Sequence, residues 1–340
     1  MIEQKGKTLI IAEAGVNHNG SLDRALELVD VAADAGADIV KFQTFKADKL
    51  AAPSAKMAAY QKTNMGQEQS QQAMLKSLEL SYEAHYKLIE HCEKKNIHFL
   101  STAFEFESLE FLLTLKMGLW KIPSGEITNL PYLEWIAQRG EPVIISTGMA
   151  DFAEVNTAVQ ALLQAGQDKK KLTVLHCNTE YPTPMVDVNL RAMAKMGQDL
   201  GLAFGYSDHT MGIEIPIAAV ALGATIIEKH FTLSQDLPGP DHKASLEPRD
   251  LTLMIKAIRN IESALGTAEK RVSASENKNR EVARKSIIAK VAIQKGELLT
   301  EKNLDCARPG SGMSPMLWHK IQNRPAQKSY EAGDLLQEII

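Results

Sequence analysis

Two stretches of the sequence run from an apolar segment straight into a histidine. FGYSDHTMG (204–212) leads through Ser207 and Asp208 to His209. TIIEKHFT (225–232) leads from Ile226–Ile227 through Glu228 and Lys229 to His230. One such strand-end histidine reads as a satisfied core residue. Two on neighbouring strands point to a shared divalent metal that leaves positions open for substrate or water. With two nitrogen ligands and oxygen donors elsewhere, Mn2+, Co2+ or Zn2+ would each fit. His18 and His176 are further candidates for contact with a substrate.

The cations point the same way. Lys41 and Lys121 lie in strand-like runs where apolar residues would pack better, so each needs a compensating anion. Ser124, Ser146 and Ser207, beside glycine-containing turns that expose backbone N–H groups, could complete a cradle for phosphate and carboxylate. The alternative is that the lysines pair internally with Glu13, Glu126 or Glu228. Lys41 and Gln43 are two residues apart and so share one strand face. The turn-rich loop DLPGPDHKASLEP (236–248) carries Asp241, which either binds a sugar hydroxyl, acts as a base, or is simply a turn residue.

These residues need a frame that gathers them. Eight short apolar runs recur: TLIIAE (8–13), ADIVKFQ (37–43), IHFLST (97–102), GLWKIPS (118–124), PVIIST (142–147), LTVLHC (172–177), LAFGYS (202–207) and ATIIEKH (224–230). Helical patterns separate them, as in SLDRALELVDVAADAGA, which opens on Ser21 and Asp23 and stops at Gly36. Eight alternating strands and helices predict a (β/α)8 TIM barrel, an α/β fold whose active site lies at the C-terminal ends of the strands. The polar residues above fall at those ends. A doubly wound open sheet is the alternative, disfavoured by the count of eight and the lack of a GxGxxG turn. The connection from 44 to 96 is too long for a loop and one helix, and is expected to form an excursion over the mouth, as a lid or a surface decoration. The barrel is assigned to 1–267, a charged linker to 268–283, and a small, mostly β domain to 284–340, undersized enough to lean on something larger.

Composition sets limits. The net charge of −4 gives no reason to expect nucleic acid. No signal peptide is apparent, and the apolar stretch 215–227, broken by Gly223, is too short to span a bilayer. Cys92, Cys177 and Cys306 imply no disulfide framework and fit a reducing cytoplasm. Cys177, at a strand end, could touch the site but reads better as a small buried hydrophobe.

The segments IIAEAGVNHNG, VKFQTF, KIPSGE, ISTGM, YPTP, GYSDHT, EKHFT and GPDHKAS, in this order, closely resemble the sialic acid synthases, bacterial nonulosonate synthases that condense phosphoenolpyruvate with an N-acetylated hexose. RPGSGMSP (308–315) resembles their antifreeze-like (SAF) domain. The resemblance covers essentially the whole chain. It implies Mn2+ on His209 and His230, polarising the sugar aldehyde. It implies phosphoenolpyruvate on Lys41, Lys121, Ser124, Ser146 and Ser207, and sugar contacts from Glu13, Gln43, Tyr181 and Asp241. Glu13 or Asp241 would also sit near the metal's water, and Glu126 would handle a proton at the new methylene. It implies a homodimer in which the SAF domain reaches over the partner's barrel, bringing Arg308 to the acyl side of the substrate. Thr179, in CNTEYPTP, stands where neuraminate-making members commonly have Asn. The variant is more similar to members making legionaminic acid, whose acceptor is 2,4-diacetamido-2,4,6-trideoxymannose, with N-acetylmannosamine as the alternative acceptor. A less hydroxylated acceptor wants fewer hydrogen-bond partners. Two rival readings are a metal-free class I aldolase with Lys41, Lys121 or Lys229 as Schiff base, and a non-catalytic carbohydrate- or ice-binding protein built on the C-terminal domain.

Overall fold

The apolar runs form eight parallel strands: β1 (Leu9–Gly15), β2 (Ile39–Thr44), β3 (His98–Ala103), β4 (Trp120–Ile122), β5 (Val143–Ser146), β6 (Leu172–His176), β7 (Ala203–Asp208) and β8 (Ile226–His230). The ladder runs β3-β2-β1-β8-β7-β6-β5-β4, so the strands at its two ends are sequence neighbours and close a TIM-type barrel. The computed structural model describes residues 6–52, 54–65 and 70–337. Contacts divide the chain into two units, Met1–Gly266 and Thr267–Ile340.

Each strand is buried on both faces, which is why the runs read as continuous rather than alternating. On β1, Ile10, Ala12 and Ala14 face outward into a core shared with Leu28, Val29 and Ala32 of the helix Leu22–Asp34. Ser21 caps that helix by accepting from the Arg24 backbone N–H at 3.4 Å. Inside, Ile11, Ile39, Leu100, Ile144, Leu175 and Ile226 from six strands form one buried layer. This layer closes the barrel beneath the mouth. The region 215–227 becomes the barrel helix Glu214–Ala221 and the start of β8, and no helix among the described residues is long and apolar enough to cross a membrane.

The long connection after β2 folds into three short helices, Ala47–Leu50, Ala59–Met65 and Gln71–Leu78, before the barrel helix Tyr82–Lys95. Ser70 and Ser81 cap the last two. Its methionines Met57 and Met74 are buried in a satellite core with Val16, Phe45 and Leu78.

In the second unit β9 (Ser286–Ala289) pairs antiparallel with β10 (Leu304–Ala307) over a core that includes Ile287, Ile293, Leu304, Met313, Ile321 and Tyr330. The stretch assigned as linker contains a helix, Ala274–Ala283. A capping box between Ser273 and Glu276 starts it, yet none of its residues is buried. Without an apolar stripe, the capping-box spacing of Ser273 and Glu276 was the one helix signal in that stretch.

Candidate active site

A strand presents every second side chain to the same face, so each step of two up from the buried layer reaches the mouth. From Ile11 the step reaches Glu13, and from Ile39 it reaches Lys41 and then Gln43. Leu100 leads to Thr102, Ile144 to Ser146, Leu175 to Cys177, and Ile226 to Glu228 and His230. β4 and β7 add Lys121, Ser207 and His209. All of these line one cavity of about 640 Å3, joined by Ser124, Thr179, Tyr181 and Asp241 from the loops beyond.

The lysines do pair internally. Lys41 Nζ lies 2.6 Å from Glu13 and 3.6 Å from Glu228, and Lys121 Nζ lies 3.5 Å from Glu228. Glu228 also accepts from the Ser207 hydroxyl at 2.9 Å, and Glu13 from the Gln43 amide at 3.2 Å. Burial pushes the Glu228 carboxyl up, but Lys121, Lys41 and the Ser207 hydroxyl outweigh it and hold it at about 2. Burial raises Glu13 to about 6 despite Lys41. Asp241, buried and near Glu13, rises to about 7. Burial pulls Lys121 down against the attraction of Glu228. The mouth therefore holds one firmly ionised carboxylate and two acids poised near neutrality, the arrangement that proton handling needs.

Two groups in the cavity wait for partners. Ser146 Oγ and His230 Nδ1 are buried with no hydrogen-bond partner among the described residues. The His209 and His230 rings lie 5.4 Å apart between centroids, with the Tyr181 ring 4.1 Å from His209. Nδ1 of His209 faces the Asn178 carbonyl. A carbonyl can only accept, so Nδ1 carries the proton and Nε2 is left with a free lone pair. Burial keeps both imidazoles neutral, His209 at about 4 and His230 well below its usual value. The pair fits a divalent ion. No cluster of three or more His, Cys, Asp or Glu side chains suited to a metal occurs among the described residues. Substrate and water would complete the shell.

Several expected residues lie elsewhere. Glu126 is outside the cavity lining; its carboxylate accepts from Asn129 at 2.6 Å in the turn that starts the next helix. His176, on the outer face of β6, bonds the Val188 carbonyl at 3.0 Å, and it is the next residue, Cys177, that enters the cavity beside Ser124 at 3.3 Å. His18 is fully buried away from the lining, its Nδ1 accepting from the Gly20 N–H at 3.0 Å. Lys229 also points out of the barrel: between Glu228 and His230, it alternates to the other face and pairs with Asp208 at 2.6 Å, both fully buried. No Schiff base at Lys229 would open into the cavity. Arg308 belongs to the second unit, where its Nε donates to the Ala283 carbonyl at 3.1 Å. Cys177, read from sequence as a small buried hydrophobe, and Glu228, read only as a partner for the lysines, both line the cavity together with Thr102, and the two-residue step finds all three.

The excursion contributes a second side to the cavity, through Leu50, Ala59, Gln61, Gln71, Met74 and Leu75 among others. Its helix Ala59–Met65 is tied to the loop carrying Asp241, the Asn64 amide donating to the Pro240 carbonyl at 2.6 Å.

The chain matches the NeuB family over residues 28–270 and the SAF domain over 284–338. It is 50% identical over 332 residues to the N,N'-diacetyllegionaminic acid synthase of Campylobacter jejuni, covering 98% of this chain and 99% of that one. It is 44% identical over 340 residues to the protein of the same name from Legionella pneumophila, covering 98% and 96%. Among solved structures, the N-acetylneuraminic acid synthetase of Leptospira borgpetersenii in complex with citrate superposes with a TM-score of 0.70 at 36% identity, over 80% of this chain and 90% of that one.

Proposed function

This chain belongs to the NeuB family, and from that membership and its barrel mouth we propose that it is a nonulosonic acid synthase joining phosphoenolpyruvate to an N-acetylated mannose-type sugar. The acceptor in this reading is 2,4-diacetamido-2,4,6-trideoxymannose, which would make the enzyme an N,N'-diacetyllegionaminate synthase, as its 50% and 44% identical relatives are named. The observation that carries the reading is a cavity holding two buried lysines, an unpartnered Ser146 hydroxyl and two neutral histidines together.

In the free protein Glu13 and Glu228 neutralise Lys41 and Lys121. A phosphate and a carboxylate arriving on Lys41, Lys121, Ser124, Ser146 and Ser207 would draw the lysines away. Glu13 would then lose the one strong influence that lowers its pKa and would hold a proton more firmly. C3 of phosphoenolpyruvate forms the new bond to the aldehyde carbon, water adds at C2, and phosphate departs with cleavage of its C–O bond. Of the water's two protons, one ends on the former aldehyde oxygen and the other leaves with phosphate as C2 becomes a carbonyl. Glu13 and Asp241, with pKa values of about 6 and 7, are suited to both transfers. A divalent ion, Mn2+ in this reading, held by His209 and His230 would polarise the aldehyde. Gln43, Thr179 and Tyr181 line the acceptor's surroundings. A homodimer that places Arg308 of one subunit at the other's mouth is part of the proposal. The exposed Met149, Met185, Val186 and Met211 on the connections after β5, β6 and β7, with Phe152 at the start of the helix Phe152–Gln164, would give it apolar surface to cover.

The test is phosphate release by chelator-treated protein given phosphoenolpyruvate and each sugar, with and without Mn2+. Mn2+-dependent release, faster with the trideoxy diacetamido sugar than with N-acetylmannosamine, is expected. The reverse ranking marks an N-acetylneuraminate synthase. Release indifferent to metal refutes the role of His209 and His230. A keto acid trapped on the protein by borohydride marks the Schiff-base route.

A further inference from the structure

The cavity is two-sided. Its ionisable groups come from the strand ends and from the loops after β6 and β8. Its apolar side comes mainly from the excursion: Phe45, Leu50, Met74, Leu75 and Leu78, joined by Phe104 at the end of β3. The same side chains make up the satellite core, all of which except Met57 and Met65 also lines the cavity. The wall of the pocket is thus one side of the excursion's own hydrophobic core, where Leu50, Leu75 and Phe104 keep part of their surface open and the buried Phe45, Met74 and Leu78 back them. The apolar surface of Leu50, Leu75 and Phe104, facing a polar cavity, is unfavourable until an apolar ligand group covers it. Gln61 and Gln71 are the polar side chains the excursion adds to the lining among the described residues.

We propose that this wall is the acceptor-specificity element: Met74, Leu75 and Leu78 of the helix Gln71–Leu78, with Leu50, Phe45 and Phe104, receive the deoxygenated face of the sugar, its C6 methyl and N-acyl methyls. A hydroxyl at C6 or C4 facing Leu50, Leu75 and Phe104 would be buried against carbon. An aliphatic wall gains from each added methyl and rejects a hydroxyl, each by a factor of order 10–200. The inference rests on the proposed condensation for its choice of sugars, and its test is built to separate the two.

The alditols of the two candidate sugars lack the aldehyde and cannot react, so calorimetric titration in the presence of phosphoenolpyruvate reads binding alone. Wild-type protein is expected to bind the trideoxy diacetamido alditol about 10–100-fold more tightly than the N-acetylmannosamine alditol. Leu75→Gln, and independently Leu50→Gln, are expected to reduce that ratio at least about tenfold while the phosphoenolpyruvate dissociation constant stays within about twofold. Both positions are only partly buried, so the change is absorbed at the cavity surface. A ratio unchanged in both variants, or no preference in wild type, overturns the wall. Preserved discrimination in binding without phosphate release from the parent sugars leaves the wall standing and refutes the condensation instead.

Discussion

Replacing Lys229 by Met tests the electrostatics behind the site most directly. Lys229 and Asp208 are cross-strand partners on β8 and β7, both at zero exposure, on the face opposite the cavity. Lys229 Nζ meets Asp208 Oδ2 at 2.6 Å and the Thr210 carbonyl at 2.5 Å, while Thr210 donates to Asp208 through its N–H at 3.0 Å and its hydroxyl at 3.1 Å. Met nearly preserves the volume, so the variant creates little cavity. It leaves Asp208 as a buried charge with two hydrogen bonds and no counter-ion, and it orphans one carbonyl. Breaking such a pair costs about 3–5 kcal/mol. For a unit of this size that corresponds to a fall in Tm of roughly 6–20 °C. The double variant Asp208→Asn, Lys229→Met carries no buried charge and keeps an acceptor for Thr210, so it should recover at least about 2 kcal/mol. Urea titrations followed by Trp120 and Trp135, which pack edge to face at 5.5 Å, measure both in a Trp318→Phe background that silences the second unit. Midpoint shifts at constant slope give the costs. A single-variant cost below about 1 kcal/mol, or a coupling energy near zero in the cycle, would refute the reasoning.

Asp241, whose carboxyl is raised to about 7, binds its proton more tightly folded than unfolded. Stability therefore falls as pH rises from about 4 to 7 and stays lowered above that range. Asp241→Asn should raise the Tm of the chelator-treated protein at pH 8 and leave it unchanged near pH 4; a gap that does not vary with pH contradicts the assignment. Gly205→Ala on β7 would put a Cβ 2.2 Å from the Ile226 carbonyl oxygen and 2.8 Å from Leu175 Cδ2, so about 3 kcal/mol or more of lost stability is expected on thermal unfolding. Burial pushes the Cys92 thiol to about 12, whereas Cys306 is half-buried. Mass spectrometry after limited iodoacetamide treatment at pH 8 should find Cys306 modified first and Cys92 only when the protein unfolds.

The barrel was legible because its eight strands are separate apolar runs, each ending in residues that no core would choose. His209, His230, Lys41 and Lys121 stood out as buried polar types, and the period of two put them on one face. The same period, applied strictly, would have turned Lys229 and His176 outward and brought Glu228 and Cys177 in. Glu126 lies outside the lining, and in sequence a carboxylate beside a strand end looks the same whether it faces a cavity or holds the next turn. The helix Ala274–Ala283 escaped because it buries nothing. The excursion was visible as an excess of length, but its short helices, built from mixed polar and methionine-bearing sequence, gave no periodicity from which the cavity wall could be read.

The ionisable and hydroxyl groups of this mouth are dispersed over the barrel strands and their loops, spanning more than 200 positions, so no single segment carries them as a set. The wall has the opposite genetics. Apart from Val16 and Phe104 it is written in one uninterrupted stretch, from Phe45 to Leu78, entered from one barrel strand and left before the next barrel helix. A stretch of that kind travels as a cassette. Recombination or grafting between relatives could replace the whole surface in one event and leave the catalytic ring untouched. If the wall selects the acceptor as proposed, that choice would change in such a lineage by substitution of a module, ahead of any stepwise drift in the chemistry.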